Sequence, residues 1–296
     1  MDDATRTFNL LRPRLQGIAY RMLGSMGEAE EVVQDAWLRW HEAAKDTLDS
    51  AEAWLVTVVT RLSIDRLRTA KVEREHYIGT WMPEPTMTGA PDTPEQLLER
   101  ADNVSVAFLA VLERLAPESR AAFLLREVFD ADYDDIATTL GKSEAACRQL
   151  VHRAKAQVQE GRPRFAVPRE VHERLLRAFA EAAARGSMPD LRALLADDAE
   201  LLSDGGGKVP SFGKVLAGAQ RLAQLYFALW RRGVAVRMDL VELNGEPGLL
   251  RFVDGALESA QTFEIDQTAK GERIVRIHTQ RNPDKLARIA ARLSAK

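Results

Sequence analysis

The chain has 296 residues, with 41 Lys plus Arg against 44 Asp plus Glu, a net charge of −3. That balance excludes a whole-chain polycation of the histone kind and leaves room for a local basic face. Apolar residues are 46% of the chain, ordinary for packed cores and too many for global disorder, and the length fits two domains or three small ones. A single cysteine, Cys147, excludes an intramolecular disulfide and a cysteine-cluster zinc site. The five His lack metal-ligand spacing. There is no apolar run of ~18 residues, and the polar, acidic start is wrong for a secretory signal. The expectation is a soluble, cytoplasmic protein with no membrane partner, metal or cofactor.

Residues 6–72 read as helices throughout. Phe8, Leu11, Leu15, Ile18, Ala19 and Met22 recur at helical spacing, and Gly24 and Gly27 punctuate. A second helix starts near Glu28, with Val32, Val33, Ala36, Trp37 and Trp40 on its apolar face. A third runs from about Ala51 to Lys71 on Trp54, Leu55, Val58, Val59, Leu62 and Leu67. Residues 73–103 change character. Prolines at 83, 85, 91 and 94, Gly79 and Gly89, and seven acidic residues against two basic ones mark an acidic linker, with a short helix near Glu95–Asp102. Residues 104–164 return to helix, with Leu112, Leu115, Phe123, Leu124 and Val128 as one apolar set. From residue 168 the pattern is mixed: helices at about 169–186 and 189–196, a strand at 199–204, a helix at 218–232, alternating stretches near 234–243, 248–254, 257–266 and 273–280, and a last helix from Pro283. Helices followed by a meander of strands predict an α+β domain with a curved antiparallel sheet.

The most informative segment runs from Tyr133 to Val158. Ile136, Ala137 and Leu140 can pack against Cys147, Leu150, Val151 and Ala154, with Gly141 allowing the tight turn of a helix-turn-helix. Ser143 can cap the second helix. Arg148, Gln149, His152, Arg153 and Lys155 stay outside the apolar stripe. Arg can bond guanine bidentately, Gln can read adenine, and Lys mostly meets phosphate. From Gly141 to Arg164 six basic residues face two acidic ones, a local positive face inside an acidic chain. The plainer reading is the solvated face of a helical bundle.

EAEEVVQDAWLRWHE (Glu28–Glu42) and AWLVTVVTRLSIDRLR (Ala53–Arg68), in that order before the helix-turn-helix, resemble the extracytoplasmic-function (ECF) sigma factors of bacteria. The resemblance covers residues 6–160. It implies that residues 1–72 are sigma region 2 and residues 104–164 are sigma region 4, both all-helical. It also implies that Glu31, Gln34, Asp35 and Arg39 meet the clamp helices of the beta-prime subunit of core RNA polymerase, and that Trp54, Arg61, Arg66 and Arg68 hold the minus-ten element. Arg148, Gln149, His152, Arg153 and Lys155 would then read the minus-thirty-five element of promoter DNA. Where many such sigma factors carry Lys or Arg this chain has Leu150, which moves base contact onto its neighbours. Read from the residues alone, Trp54 fits a core position equally well, and the acidic strip fits an ordinary wet helix face.

Residues 165–296 exceed a minimal sigma factor. Their pattern is similar to the SnoaL-like, or NTF2-like, cone. WMPEP (Trp81–Pro85), DGGGK (Asp204–Lys208) and NPDKL (Asn282–Leu286) resemble strings found in sigma factors with a fused SnoaL-like tail. The resemblance implies a regulatory domain docked through Trp81, Pro83, Asp204, Gly205, Gly206, Gly207, Lys208, Asn282, Pro283, Asp284 and Lys285. Each motif also has a local reading: a hairpin turn for the glycines, satellite packing for Trp81, and a helix start for Asn282-Pro283. Asp204, Asp239, Asp254 and His278 are the acid–base candidates of this domain. The expected function is a non-catalytic transcription initiation factor, monomeric when free, with a small ligand in the C-terminal cone as a candidate partner. The alternative is a SnoaL-type enzyme or a small-molecule-sensing DNA-binding regulator.

Overall fold

The computed structural model describes residues 3–43, 48–88, 105–160 and 167–295. Of these, 3–76 and 108–160 make one compact unit, and 77–88, 105–107 and 167–295 make another. The short helix expected near Glu95–Asp102 lies outside the described residues.

The first unit is helical: α1 (Asp3–Leu23), α2 (Met26–Glu42), α3 (Ala51–Glu75), α4 (Val106–Leu112, from Phe108 onward), α5 (Pro117–Glu127), α6 (Tyr133–Leu140) and α7 (Glu144–Glu160). Gly24 ends α1 at φ +70°, and the Ser25 hydroxyl accepts from the Glu28 amide to start α2. Phe8, Leu15, Ile18 and Met22 of α1 are buried with Val32, Val33 and Ala36 of α2 and Leu55 and Val59 of α3. The α3 helix runs four residues beyond its expected end at Lys71. A buried guanidinium ties the later helices to this bundle. Arg120 of α5, 2% exposed, donates to the Met22 carbonyl and to Glu113, each at 2.6 Å. Capping a helix-end carbonyl and meeting a carboxylate together satisfy a charge that burial would otherwise penalise.

The second unit contains α8 (Arg169–Arg185), α9 (Met188–Leu194), β1 (Leu195–Asp204), β2 (Leu216–Ala217), α10 (Ala219–Arg231), β3 (Val236–Leu243), β4 (Glu246–Val253), β5 (Ala256–Thr268), β6 (Gly271–Gln280) and α11 (Pro283–Ser294). The six strands form one sheet, in the order β2-β1-β6-β5-β4-β3. Asn244-Gly245 and Asp254-Gly255 both sit at positive φ and make the two-residue turns of the β3–β4 and β4–β5 hairpins. Register shifts at Arg251/Phe252 and Glu264/Ile265 bend the sheet. On one face α8, α9 and α10 pack against Leu249, Phe263 and Ile277, and on the other Leu286 and Ile289 of α11 cover Leu243, Leu250, Phe252 and Ala260. Two helical regions and a helix-plus-sheet domain are thus the architecture.

Two details differ from the sequence expectation. The first strand starts at Leu195 rather than 199, because the exposed Asp197 and Asp198 interrupt the apolar alternation that would mark it. It also pairs parallel with β6, so only the remaining pairings are antiparallel. At the centre of the inner core, Phe179 meets the Tyr226 ring edge-on at 4.8 Å and the Phe263 ring at 5.3 Å. Phe179→Ala is expected to cost about 3–5 kcal/mol, read as a lowered urea midpoint of the C-terminal domain; a loss below ~1 kcal/mol contradicts this packing.

Candidate nucleic-acid interface

The helix-turn-helix is built from α6 and α7. Gly141 closes α6 in the left-handed region at φ +64°, and the Ser143 hydroxyl accepts from the Ala146 amide at 3.3 Å. Ile136 packs on Cys147 and Val151, with Leu140 and Leu150 at the margin. Cys147 is a core residue, its thiol pushed up by burial. Leu150 is thus committed to packing.

That packing leaves Arg148, Gln149, His152, Arg153 and Lys155 all exposed, and they line one surface groove together with Tyr133 and Glu127. Arg148 lies over the Tyr133 ring at 4.8 Å and pairs with Glu144 at 2.7 Å, while Lys155 pairs with Glu127 at 2.7 Å. These exposed pairs hold long side chains in place but are individually weak, so phosphate can displace the carboxylates. Tyr133 and Glu127 were not picked out from the sequence. Tyr133 begins α6, and its aromatic ring just ahead of the motif was the available signal.

On α2 the strip Glu31, Gln34, Asp35 and Arg39 is exposed, and the opposite face is core. Leu38, 56% exposed, lies on the same face at helical spacing from Glu31, Gln34 and Asp35. Sequence reasoning passed over it because it sought polar residues. Trp37 is half-buried against Phe8, with ring centroids 4.9 Å apart.

The α3 residues are placed differently from one another. Trp54 is half-buried, 5.6 Å from the Trp40 ring. Arg61 is turned onto the end of α6, donating to the Thr139 carbonyl at 2.8 Å and the Thr138 carbonyl at 2.9 Å, beside a Thr57–Thr139 hydroxyl contact. A cation there complements the negative end of the helix. Arg66 meets Glu31 at 2.6 Å, and Arg68 bridges Asp65 and Glu118. Lys142 hydrogen-bonds Glu118 and is the main cause of its lowered pKa, with Arg68 adding to it. Three of the α3 cations expected at the minus-ten element thus already have partners within the chain.

A second cluster forms in the other unit around Asp204, which is fully buried. Its carboxylate accepts from the Tyr77 hydroxyl (2.6 Å), the Met82 amide (3.0 Å), the Gly206 amide (3.0 Å), Gln280 Nε2 (3.2 Å) and Lys285 Nζ (2.8 Å). Burial and the neighbouring Asp204 charge push the Tyr77 phenol up, so it stays a donor. Lys285 also donates to the Met82 carbonyl and sits 4.2 Å from the Trp81 ring. The Pro83 carbonyl accepts from Gln280 at 3.4 Å. Asn282 caps α11 by accepting from the Asp284 amide, and donates to the Tyr77 hydroxyl. Lys208 pairs with Asp284.

The glycines are spatial necessities here. A Cβ on Gly205 would meet the Val209 carbonyl at 2.3 Å, and one on Gly206, at φ +62°, would meet the Asn282 side chain at 2.3 Å. Gly207 approaches Ile78. WMPEP, DGGGK and NPDKL thus meet in one place. Tyr77 and Met82, central to the cluster, were missed by sequence reasoning.

The acid–base candidates are not gathered at a cavity. Asp204 holds the linker segment, Asp239 pairs with Arg237 at 3.2 Å, and Asp254 accepts from the Ala235 amide in a hairpin turn. His278 bonds Glu264 at 2.6 Å. Alternation along β6 puts it on the sheet face away from Ile277. Among the described residues no group of three or more His, Cys, Asp or Glu could hold a metal ion. No helix among them is long and apolar enough to cross a membrane.

Two all-helical regions, the second a helix-turn-helix with an exposed cationic face, define a DNA-binding protein of the sigma type. Family models match at two places: Sigma-70 region 2 over residues 7–72, and Sigma-70, region 4 over residues 105–158. The chain is 35% identical over 288 residues to the ECF RNA polymerase sigma factor SigJ of Mycobacterium tuberculosis, covering 94% of this chain and 91% of that one. It is 32% identical over 296 residues to the probable ECF RNA polymerase sigma factor SigI of the same species, covering 99% and 98%. It also resembles the crystal structure of M. tuberculosis SigJ, with a TM-score of 0.73 at 31% identity over 96% of this chain and 98% of that one. The chain belongs to the ECF RNA polymerase sigma factors, a family that works with core RNA polymerase and promoter DNA.

Asp204→Ala would leave Lys285 and four other donors without their shared acceptor. The expected loss is about 3–5 kcal/mol from the C-terminal domain, together with faster amide hydrogen exchange over Tyr77–Thr88. Unchanged exchange and an unchanged denaturation midpoint would contradict the arrangement.

Proposed function

We propose that this chain docks on the beta-prime clamp helices of core RNA polymerase through Glu31, Gln34, Asp35, Arg39 and the exposed Leu38. It then directs initiation at promoters with two elements. Arg148, Gln149 and His152 read base edges of the minus-thirty-five element in the major groove, while Arg153 and Lys155 meet phosphate. Trp54, Arg61, Arg66 and Arg68 serve the minus-ten element, where cationic and aromatic groups catch unstacked bases.

The observation that carries this reading is the recognition face of α7, five polar side chains exposed together on a helix whose other face is sealed in its own core. Arg61 and Arg68 must exchange the Thr138 and Thr139 carbonyls and Glu118 for DNA. The free protein is therefore held in a state that polymerase binding shifts.

The C-terminal domain regulates this step by gripping the linker segment Tyr77–Thr88 through Asp204, Gly205–Lys208 and Asn282–Lys285. A tethered domain acts at roughly millimolar effective concentration, so modest contacts suffice. The free protein is a cytoplasmic monomer and carries no catalytic site.

Run-off transcription with core polymerase tests the reading. The chain is expected to support promoter-dependent initiation, and Gln149→Ala to weaken it by about 1–3 kcal/mol of promoter discrimination. A folded chain that supports no initiation overturns the proposal.

A further inference from the structure

Between the C-terminal sheet, α10 and the loop after β1 lies a cavity of about 290 Å³. That volume is near the bottom of the ~300–1,000 Å³ range of small-molecule sites. Leu201, Leu225 and Leu229 give it apolar lining. Charged groups complete the lining. Arg251, 5% exposed, binds Glu258 through two nitrogens, and Arg281 binds the other Glu258 oxygen at 2.5 Å. Arg232, exposed, stands at the rim.

Two guanidiniums thus share one carboxylate, and a third stands at the rim. Burial raises the Glu258 pKa, but Arg251 and Arg281 outweigh it and hold the group below its ordinary range, so its charge is already committed. Arg281 still has a buried Nε without a hydrogen-bond partner. Tyr226 is pushed up to about 12 by burial and remains a neutral phenol, donating to Gln261 at 3.3 Å. A neutral occupant would leave the excess cations uncompensated in a low-dielectric space. An anion without an apolar body would leave the leucine lining wet.

We infer that this cavity is a binding site for a small organic acid, one carboxylate on a compact apolar body. The carboxylate lies toward Arg251, Arg281 and Arg232, and the body lies against Leu201, Leu225 and Leu229. The site stands on these residues alone and does not depend on the transcription reading. Arg281 also donates to the Pro210 carbonyl, so the occupant would touch the loop that begins with the glycines holding the linker segment.

The test is calorimetry and thermal shift on the full chain, with benzoate and octanoate as probes and benzamide and octanol as neutral matches. The carboxylates are expected to bind at millimolar concentration or tighter and to raise Tm, and the neutral molecules to bind at least ~10-fold more weakly. Leu229→Trp, which fills the cavity without changing charge, should abolish binding. Arg281→Gln should weaken carboxylates and leave the neutral molecules unchanged; if it lowers stability, Arg232→Gln at the rim gives the same selective loss in smaller measure. The inference is overturned if neither carboxylate binds, if the neutral molecules bind as well as the acids, or if Leu229→Trp binds as the parent does.

Discussion

One buried carboxylate organises the second unit. Asp204 ends β1 with no exposure and receives five donors from four segments of chain: Tyr77, Met82, Gly206, Gln280 and Lys285. A lone carboxylate at that depth would be costly, and five hydrogen bonds, one of them from a lysine, make it tolerable. Each neighbouring feature follows from that need. The three glycines let the backbone turn back close enough for Gly206 to donate, the Asn282 cap brings Lys285 to the same point on the first turn of α11, and the linker contributes Tyr77 and Met82. Residues 77–88, which follow the first sigma region, are thereby built into the sheet domain.

The helical unit follows a related rule, with cations on helix-end carbonyls. Arg120 reaches the last turn of α1, and Arg61 reaches the last turn of α6. Each joins parts of region 2 to parts of region 4. The two differ in depth. Arg120 is sealed and structural, whereas Arg61 is exposed, and an exposed cation can trade a carbonyl for a phosphate. Arg148 and Lys155 are likewise exposed cations, held by the carboxylates of Glu144 and Glu127 in weak surface pairs that can be exchanged. DNA affinity built on such exchange falls steeply with salt.

Much of this was legible in the sequence where the signal was periodic. The apolar stripe of α7 forced Arg148, Gln149, His152, Arg153 and Lys155 outward, and α2 placed Glu31 and Asp35 outward for the same reason. WMPEP, DGGGK and NPDKL stood out only through the resemblance to sigma factors with a fused tail, which implied a docking role for them. Their chemistry was not legible, because Tyr77–Asp204 and Met82–Lys285 are separated by well over a hundred residues and no periodicity links them. The partners of Arg61 were hidden likewise, since a cation on α3 reads as DNA-facing until the end of α6 is seen beneath it. His278 depended on a bulge. The register shift near Ile265 settles which face β6 presents there, and one sequence does not reveal a shift of one residue.

The account stands most directly on where α7 and α2 go when the chain joins polymerase at a promoter. Photo-crosslinkers placed singly at Gln149 and Asp35, in a complex of the full chain with core polymerase and promoter DNA, measure this. The account predicts adducts to the upstream duplex from position 149 and to the beta-prime subunit from position 35. Adducts from both positions only within the chain itself would contradict it.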